Sequence, residues 1–545
     1  MGNPKLSTDV SDYMFRFLEK SNEGYDDDIA LTYMGVKITH REFKRRRDLY
    51  ARALLELDVK PSEIVSVCMP STPETVILLY AINQIGAVSN FINILEDKEY
   101  IQHCINNTDS KIVLTFTGIM GKIAAIANNT KLKHIVYLSV FESFPPLKRA
   151  AISLAAKASG KIEGFDKNGF ISWKCFLKLG TESKKEIITP PFKPEQPSFI
   201  EYSSGTTGRP KTIELTNESA NAKAMAYARD GILTYERGDS YLNIIPLFVA
   251  FGIVMGAHVP MSLGMSVEEV PAFKNEDMVK YFKSKPHHWF LTPSSFSFLV
   301  HDSNFSTLDF SETKSMGCGG DGLNAWQNNI VEEKMHEQGF RYKLTNGFGA
   351  SELGAPFCTC TYKVGKPGSV GLPFEGNEML IFKHGTRELA APNEIGDVCM
   401  VEKYPMLGYH NNEEETKKVM IKLPDGRTGI MLGDMGCIDE DSFIFIKGRA
   451  QDILTSNIGE VWPVDIESVI TGSRMVKFCA VSNSTVAGRL TAYIETETNK
   501  YPNIMDKLKD TVEESEFKGV DIEFKIVDKI PLTFTGKIDR KVLKV

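Results

Sequence analysis

Between residues 40 and 140 the chain alternates two patterns of apolar and polar positions. "HREFKRRRDLYARALLEL" brings an apolar side chain round every three or four positions, which predicts a charged amphipathic helix. "EIVSVCMP" is a short apolar run, "PETVILLYAINQIGAV" is again helical, and "SKIVLTF" and "KHIVYLS" are β-branched runs of strand length. Strands alternating with helices predict a parallel α/β sheet. The alternation resumes after residue 197, where "SFIEYSS" reads as a strand and "NESANAKAMAYARD" as a helix capped by Asn217. From about residue 360, "GSVGLPFEGNEMLIF", "GDVCMVEK" and "TGIMLGDMGCIDEDSFIFIKGR" are short strands joined by Gly, Pro and Asp turns, an antiparallel segment. The last hundred residues return to mixed α and β. A boundary near "KGRAQD" divides a large domain, residues 1–447, from a small one, residues 448–545.

Two stretches raise the question of a membrane. "IIPLFVAFGIVMGAHVPMSLGM", Ile244–Met265, is apolar enough to span, but Pro246, His258 and Pro260 interrupt it. A buried strand, turn and helix is the expectation, and no transmembrane segment. "PPLKRAAISLAAKASGK", Pro145–Lys161, reads as a solvated basic helix, with a weak peripheral membrane contact as the alternative. The 545 residues are 42% hydrophobic and 24% charged, as expected of a globular protein with a large core. A net charge of -7 argues against nucleic acid as a partner. Nine cysteines without a repeated CxxC spacing predict free buried thiols and a reducing, cytoplasmic compartment. His287 and His288 have no partner at metal-ligand spacing and are expected to pack or face solvent.

Candidate chemistry begins at "YSSGTTGRPK", Tyr202–Lys211. Its glycines allow close approach of the backbone to a ligand. Backbone N–H groups, hydroxyls and Lys211 can all donate to phosphate oxygens. The stretch is expected to leave a strand and lead to a helix. It is not GxxxxGK[ST], since only two residues separate Gly205 from Gly208.

With its companions the loop resembles the phosphate-loop signature of the adenylate-forming superfamily, which includes acyl- and aryl-CoA synthetases. "NGFGASE" resembles that family's YGxTE motif, "LGDMG" its TGD motif, "GRAQDILTSNIGEVWPVDIE" its hinge motif, and "PLTFTGKIDRKVL" its C-terminal PxTxxGKxxR motif, all in order. The resemblance implies a large AMP-binding domain of two parallel α/β subdomains with a small β-barrel-like region. A small, mobile α+β lid would follow. It implies an acid–thiol ligase that joins a carboxylic acid to ATP, releases pyrophosphate and passes the acyl group to CoA. Ser203, Ser204, Gly205, Thr206, Thr207, Gly208 and Lys211 would grip the β- and γ-phosphates. Glu352, with Ser203, would hold Mg²⁺, a hard cation that takes oxygen ligands. Asn346, Gly347, Phe348, Gly349, Ala350 and Ser351 would border the adenine, with Gly320 behind it or behind the acyl chain. Asp434 and Arg449 would meet the ribose. Lys537 would bridge carboxylate and α-phosphate and leave with its domain.

Two departures qualify this picture. In "PLFVAFG", Val249 stands where CoA-forming relatives have histidine. With Phe251 it makes an apolar acid pocket and disfavours an amino acid as substrate. Gln451 stands where the hinge usually carries Asp or Lys, so adenylation is better supported than thiol transfer. The expected substrate is a medium- or long-chain fatty acid or another apolar acid. The alternatives are an acyl-AMP ligase that loads the phosphopantetheine of an acyl carrier protein, and a non-catalytic nucleotide-binding relative.

Overall fold

A computed structural model of the protein describes residues 6–7, 9–145, 147–149, 170–203, 210–229, 231–271, 274–496, 501–533, 537–540 and 542–544. The alternating pattern of the first 140 residues becomes the parallel heart of an eight-stranded sheet. Ile64–Cys68 lies between Val88–Phe91 and Ile112–Phe116, and His134–Leu138 and Phe170–Ser172 extend that side. Pro73–Gln84 packs against this sheet and is buried on every face, which explains why its sequence is apolar nearly all round. Its start is fixed by Thr72, whose hydroxyl accepts from Thr75 N–H, with Pro73 in the first turn.

A second, nine-stranded sheet has Ser315–Cys318, His288–Leu291, Ser240–Asn243 and Ser266–Glu269 as its parallel centre. The fold is therefore α/β with two large mixed sheets, as expected. The antiparallel texture after residue 360 becomes a six-stranded sheet that includes Gly396–Val401, Asp434–Ile438 and Ile444–Arg449. The sequence boundary at residue 447 falls inside the last of these strands. Beyond it, Pro463–Gly472 and Ile504–Glu513 cover a three-stranded sheet of Phe478–Asn483, Leu490–Glu495 and Ile522–Ile526.

The apolar stretch Ile244–Met265 is a broken, buried helix: Ala250–Ile253, a π turn Val254–His258, then Val259–Ser262. Pro260 offers no N–H to the carbonyl four residues earlier, and the widened turn absorbs that gap. Among the described residues no helix is long and apolar enough to cross a membrane. Pro145–Lys161 lies mostly outside the described residues.

Two local expectations are corrected. The helix Asn217–Arg229 is capped by Thr216, whose hydroxyl accepts from Ser219 N–H at 3.1 Å. Asn217 instead turns inward and accepts from Met14 N–H, Asn83 and Ser198. The second correction concerns the phosphate loop. Lys211–Thr216 is a strand that pairs back, antiparallel, on Pro197–Ser203. The loop is thus the tip of a hairpin, and no helix N-terminus follows it directly. His288 is a satisfied core residue, with Nε2 3.1 Å from Asp239 Oδ2 and Nδ1 2.7 Å from Ser315 Oγ.

Candidate active site

The ends of these elements converge on one cavity of about 2090 Å³ bounded by both large sheets, the six-stranded sheet and the C-terminal domain. Ser203 and Lys211, paired in register at the mouth of the hairpin, stand on its wall. Ser204, Gly205, Thr206, Thr207 and Gly208 lie outside the described residues. Lys211 Nζ is 2.8 Å from Glu415 Oε2 and 4.8 Å above the Tyr409 ring. The Lys211 ammonium, with Lys418, holds the Glu415 carboxyl down to about 2, so Glu415 is a carboxylate throughout the neutral range.

Glu352 occupies a short 3₁₀ turn, Ser351–Leu353, that links the strands Thr345–Ala350 and Ala355–Thr359. The carboxylate is buried and accepts from Tyr409 Oη at 2.8 Å. Burial, and the adjacent Glu352 charge, push the Tyr409 phenol far up, so it stays a donor. Ala355, three residues on, has φ 129°, a conformation a side chain rarely takes, and closes the turn tightly around Glu352. Gly347, Phe348, Gly349, Ala350 and Ser351 all line the cavity. Asn346 does not. It is buried, and its amide donates to Ser369 O at 2.7 Å while its carbonyl accepts from Cys360 N–H. Gly320 lines the cavity with φ 87°. Beside it a Cβ on Gly319 would meet the Gly347 carbonyl at 2.8 Å, so the two backbones need the missing side chain.

Asp434 and Arg449 are register partners on neighbouring antiparallel strands, with Arg449 Nε 3.7 Å from Asp434 Oδ1. Burial raises the Asp434 carboxyl pKa, and the Arg449 and Lys537 charges oppose the rise. Lys537 therefore faces the same wall from the C-terminal segment. It lines the cavity from a tight hairpin: Thr533 N–H donates to Lys537 O at 2.8 Å and Lys537 N–H to Thr533 Oγ1 at 3.1 Å.

The remaining wall is apolar. Val249 precedes the broken helix, and Phe251 packs on Phe290 with ring centroids 4.2 Å apart. Phe290 in turn lies over Gly317, where an added Cβ would come within 2.6 Å of the ring. Tyr409, Glu415, Asp321 and Phe290 join the site although no sequence motif singled them out. Each reaches it through sheet pairing or loop packing rather than through local sequence.

A family profile for AMP-binding enzymes matches residues 18–410. The chain belongs to that family. It is a ligase of the adenylate-forming, acyl-CoA synthetase type. This AMP-binding enzyme is 27% identical over 473 residues to the long-chain-fatty-acid–CoA ligase of Bacillus subtilis (strain 168), covering 86% of its own length and 80% of the relative's. It is 23% identical to the probable 4-coumarate–CoA ligase 3 of Dictyostelium discoideum, over 91% of this chain and 87% of that one. In shape it is similar to the anthranilate CoA ligase AuaEII in complex with anthranoyl-AMP, with TM-score 0.83, 21% identity, and coverage of 100% of this chain and 98% of that one.

Proposed function

We propose that this enzyme activates a carboxylic acid with an apolar tail, of the medium- or long-chain fatty class, and transfers the acyl group to the thiol of CoA. The observation that carries the reading is one cavity with a cationic and carboxylate wall at Lys211, Glu352, Asp434, Arg449 and Lys537 beside an apolar wall at Val249, Phe251 and Phe290. Similarity to a long-chain-fatty-acid–CoA ligase supports the acid class, and Val249 in place of histidine agrees with it.

In the first half-reaction a carboxylate oxygen attacks the α-phosphorus of ATP. The bond to the bridging α–β oxygen breaks and pyrophosphate leaves. Two anions must meet, so the site has to neutralise charge and hold the reactants in line. Lys537 supplies a positive charge between carboxylate and α-phosphate. Lys211 and Ser203 hold the departing phosphates, for which Lys211 exchanges its contact with Glu415. Asp434 and Arg449 hold the ribose, and the Gly347–Ser351 strand borders the adenine. Glu352, kept oriented by Tyr409, presents the one carboxylate a Mg²⁺ ion would need, since that ion takes most of its remaining oxygens from phosphates and water. When bound there, the ion would neutralise phosphate charge. In the second half-reaction the thiol, losing its proton, attacks the acyl carbonyl and AMP leaves.

The competing reading takes the phosphopantetheine thiol of a carrier protein as acceptor, and Val249 and Gln451 leave adenylation better supported than thiol transfer to either one. Both readings are tested by ATP-dependent pyrophosphate release over straight-chain alkanoates of rising length, aryl acids and amino acids, followed by thioester detection with CoA or a loaded carrier protein. Release with long alkanoates and an acyl-CoA product is expected. No release with any acid would leave the chain a non-catalytic nucleotide-binding relative. Lys537→Ala is expected to slow adenylation about 10²–10³-fold while leaving ATP affinity nearly unchanged, the scale of losing one transition-state charge contact. Equal losses in rate and affinity would remove Lys537 from this role.

A further inference from the structure

The turn that presents Lys537 is anchored three residues later. Arg540 grips Glu467 with two parallel bonds, Nη1 to Oε1 at 2.6 Å and Nη2 to Oε2 at 2.9 Å. Arg540 Nη1 also donates to Val481 O at 2.9 Å, and Val481 N–H donates to Glu467 Oε1 at 2.8 Å. The two side chains are therefore tied to each other and to the strand Phe478–Asn483, at one edge of the three-stranded sheet. Glu467 itself lies on the helix Pro463–Gly472, whose end packs on the large domain. Trp326 covers Gly472 there, where an added Cβ would meet the indole at 2.9 Å, and Arg474 makes a two-pronged pair with Glu333. From the large domain, Asp321 reaches the same turn. Its Oδ2 accepts from Ile538 N–H at 3.3 Å, and the charges of Lys537 and Arg540 both face it.

A lysine on a flexible stem is a poor positional element by itself: its side chain has many rotamers and makes point-charge contacts. Precision has to come from the backbone that holds it. Here one end of the turn is closed by Thr533 and the other by Arg540. A misplacement of about 1 Å can cost about 100-fold in rate.

We propose that Arg540, held by Glu467, is a positioning residue for Lys537, and that Asp321 on the large domain receives the turn so that the lysine ammonium faces the α-phosphate. This rests on Lys537 acting in adenylation. Arg540 touches neither substrate in this scheme; it acts through the lysine.

The test is a double-mutant cycle on the full chain, read as acid-dependent ATP–pyrophosphate exchange with the best acid of the panel. If the native chain exchanges with no acid, or Lys537→Ala exchanges as fast as the native chain, the reading of Lys537 fails on its own. Where Lys537→Ala is slow, Arg540→Ala in the native background is expected to slow exchange about 100-fold, with KM for ATP within about twofold. Made on top of Lys537→Ala, it is expected to add no more than about twofold, because both act through one group. Arg540→Lys should not rescue, since an ammonium cannot make the parallel fork. Equal slowing in both backgrounds, or none in the native one, overturns the proposal. Asp321 is exposed on the large domain, so Asp321→Ala carries the same cycle should Arg540→Ala fail to fold. It is expected to slow exchange about 10-fold. Thioester formation from a preformed acyl-adenylate should be untouched, and loss of both half-reactions alike would mark a merely structural contact.

Discussion

His258, in the broken helix, and Glu269, at the end of the strand Ser266–Glu269, set opposite pH limits on stability. Glu269 is buried, with Oε2 accepting from Asn243 at 2.9 Å and Oε1 without a hydrogen-bond partner among the described residues. Burial lifts its carboxyl from 4.5 to about 8. The folded protein keeps that proton while the unfolded chain gives it up, so stability falls as pH rises from about 4.5 through 8. His258, buried between Tyr80 Oη and Asn221 Oδ1, is pushed from 6.5 down to about 3. It stays neutral when folded, so stability also falls as pH drops from 6.5 towards 3. Thermal unfolding followed from acid to alkaline pH should therefore peak at mildly acidic pH. Glu269→Gln, which cannot ionise, should flatten the alkaline side and leave the acid side intact. An alkaline slope unchanged by that substitution would rule Glu269 out as its source. Nothing in the local sequence "SVEEVP" announces this: an isolated glutamate reads as solvated, and only its place in the middle of a sheet strips it of water.

At the scale of elements, the phosphate loop is the most instructive. Its residue types predict phosphate chemistry and a following helix, whereas the chain that follows it is a strand. The hairpin partner Lys211–Thr216 has β-branched residues that fit a strand, and their pairing with Pro197–Ser203 is a long-range event that a local window cannot see. The acid pocket is likewise an assembly of elements. Phe251 comes from the broken helix, Phe290 from one strand and Gly317 from the next, and the tilted pair of rings stands in the apolar wall of the cavity. Phe290→Ala should deepen it. The kcat/KM ratio of the longest to the shortest accepted alkanoate is expected to rise about 10-fold or more, the scale of one or two methylenes in an apolar pocket. An unchanged ratio would move the pocket floor elsewhere.

For the whole molecule, the arrangement of the two domains brings Lys537 to the cavity. The contacts that do so include Trp326 over Gly472, Arg474 with Glu333, Phe298 against Phe478 at 5.2 Å, and Asp321 with Ile538 N–H. Trp326 is 44% exposed, and turning of the C-terminal segment between half-reactions would uncover the part of its indole that rests on Gly472. A non-hydrolysable acyl-adenylate analogue followed by CoA should then shift tryptophan emission to the red, and Trp326→Phe should abolish the shift. Emission that ignores CoA would argue for a fixed lid. The sequence by itself determined the α/β class, the change to antiparallel strands, the family and the residues of its ordered motifs. These are written in hydrophobic period and in short runs of residues whose chemistry acts locally. Only the tertiary structure decided that Tyr409 bonds Glu352, that Glu415 pairs with Lys211, that Phe290 packs on Phe251 and that Arg540 pairs with Glu467. Those pairs are separated by tens to hundreds of positions, and a contact across that distance is created by sheet pairing and domain packing, which no local pattern encodes.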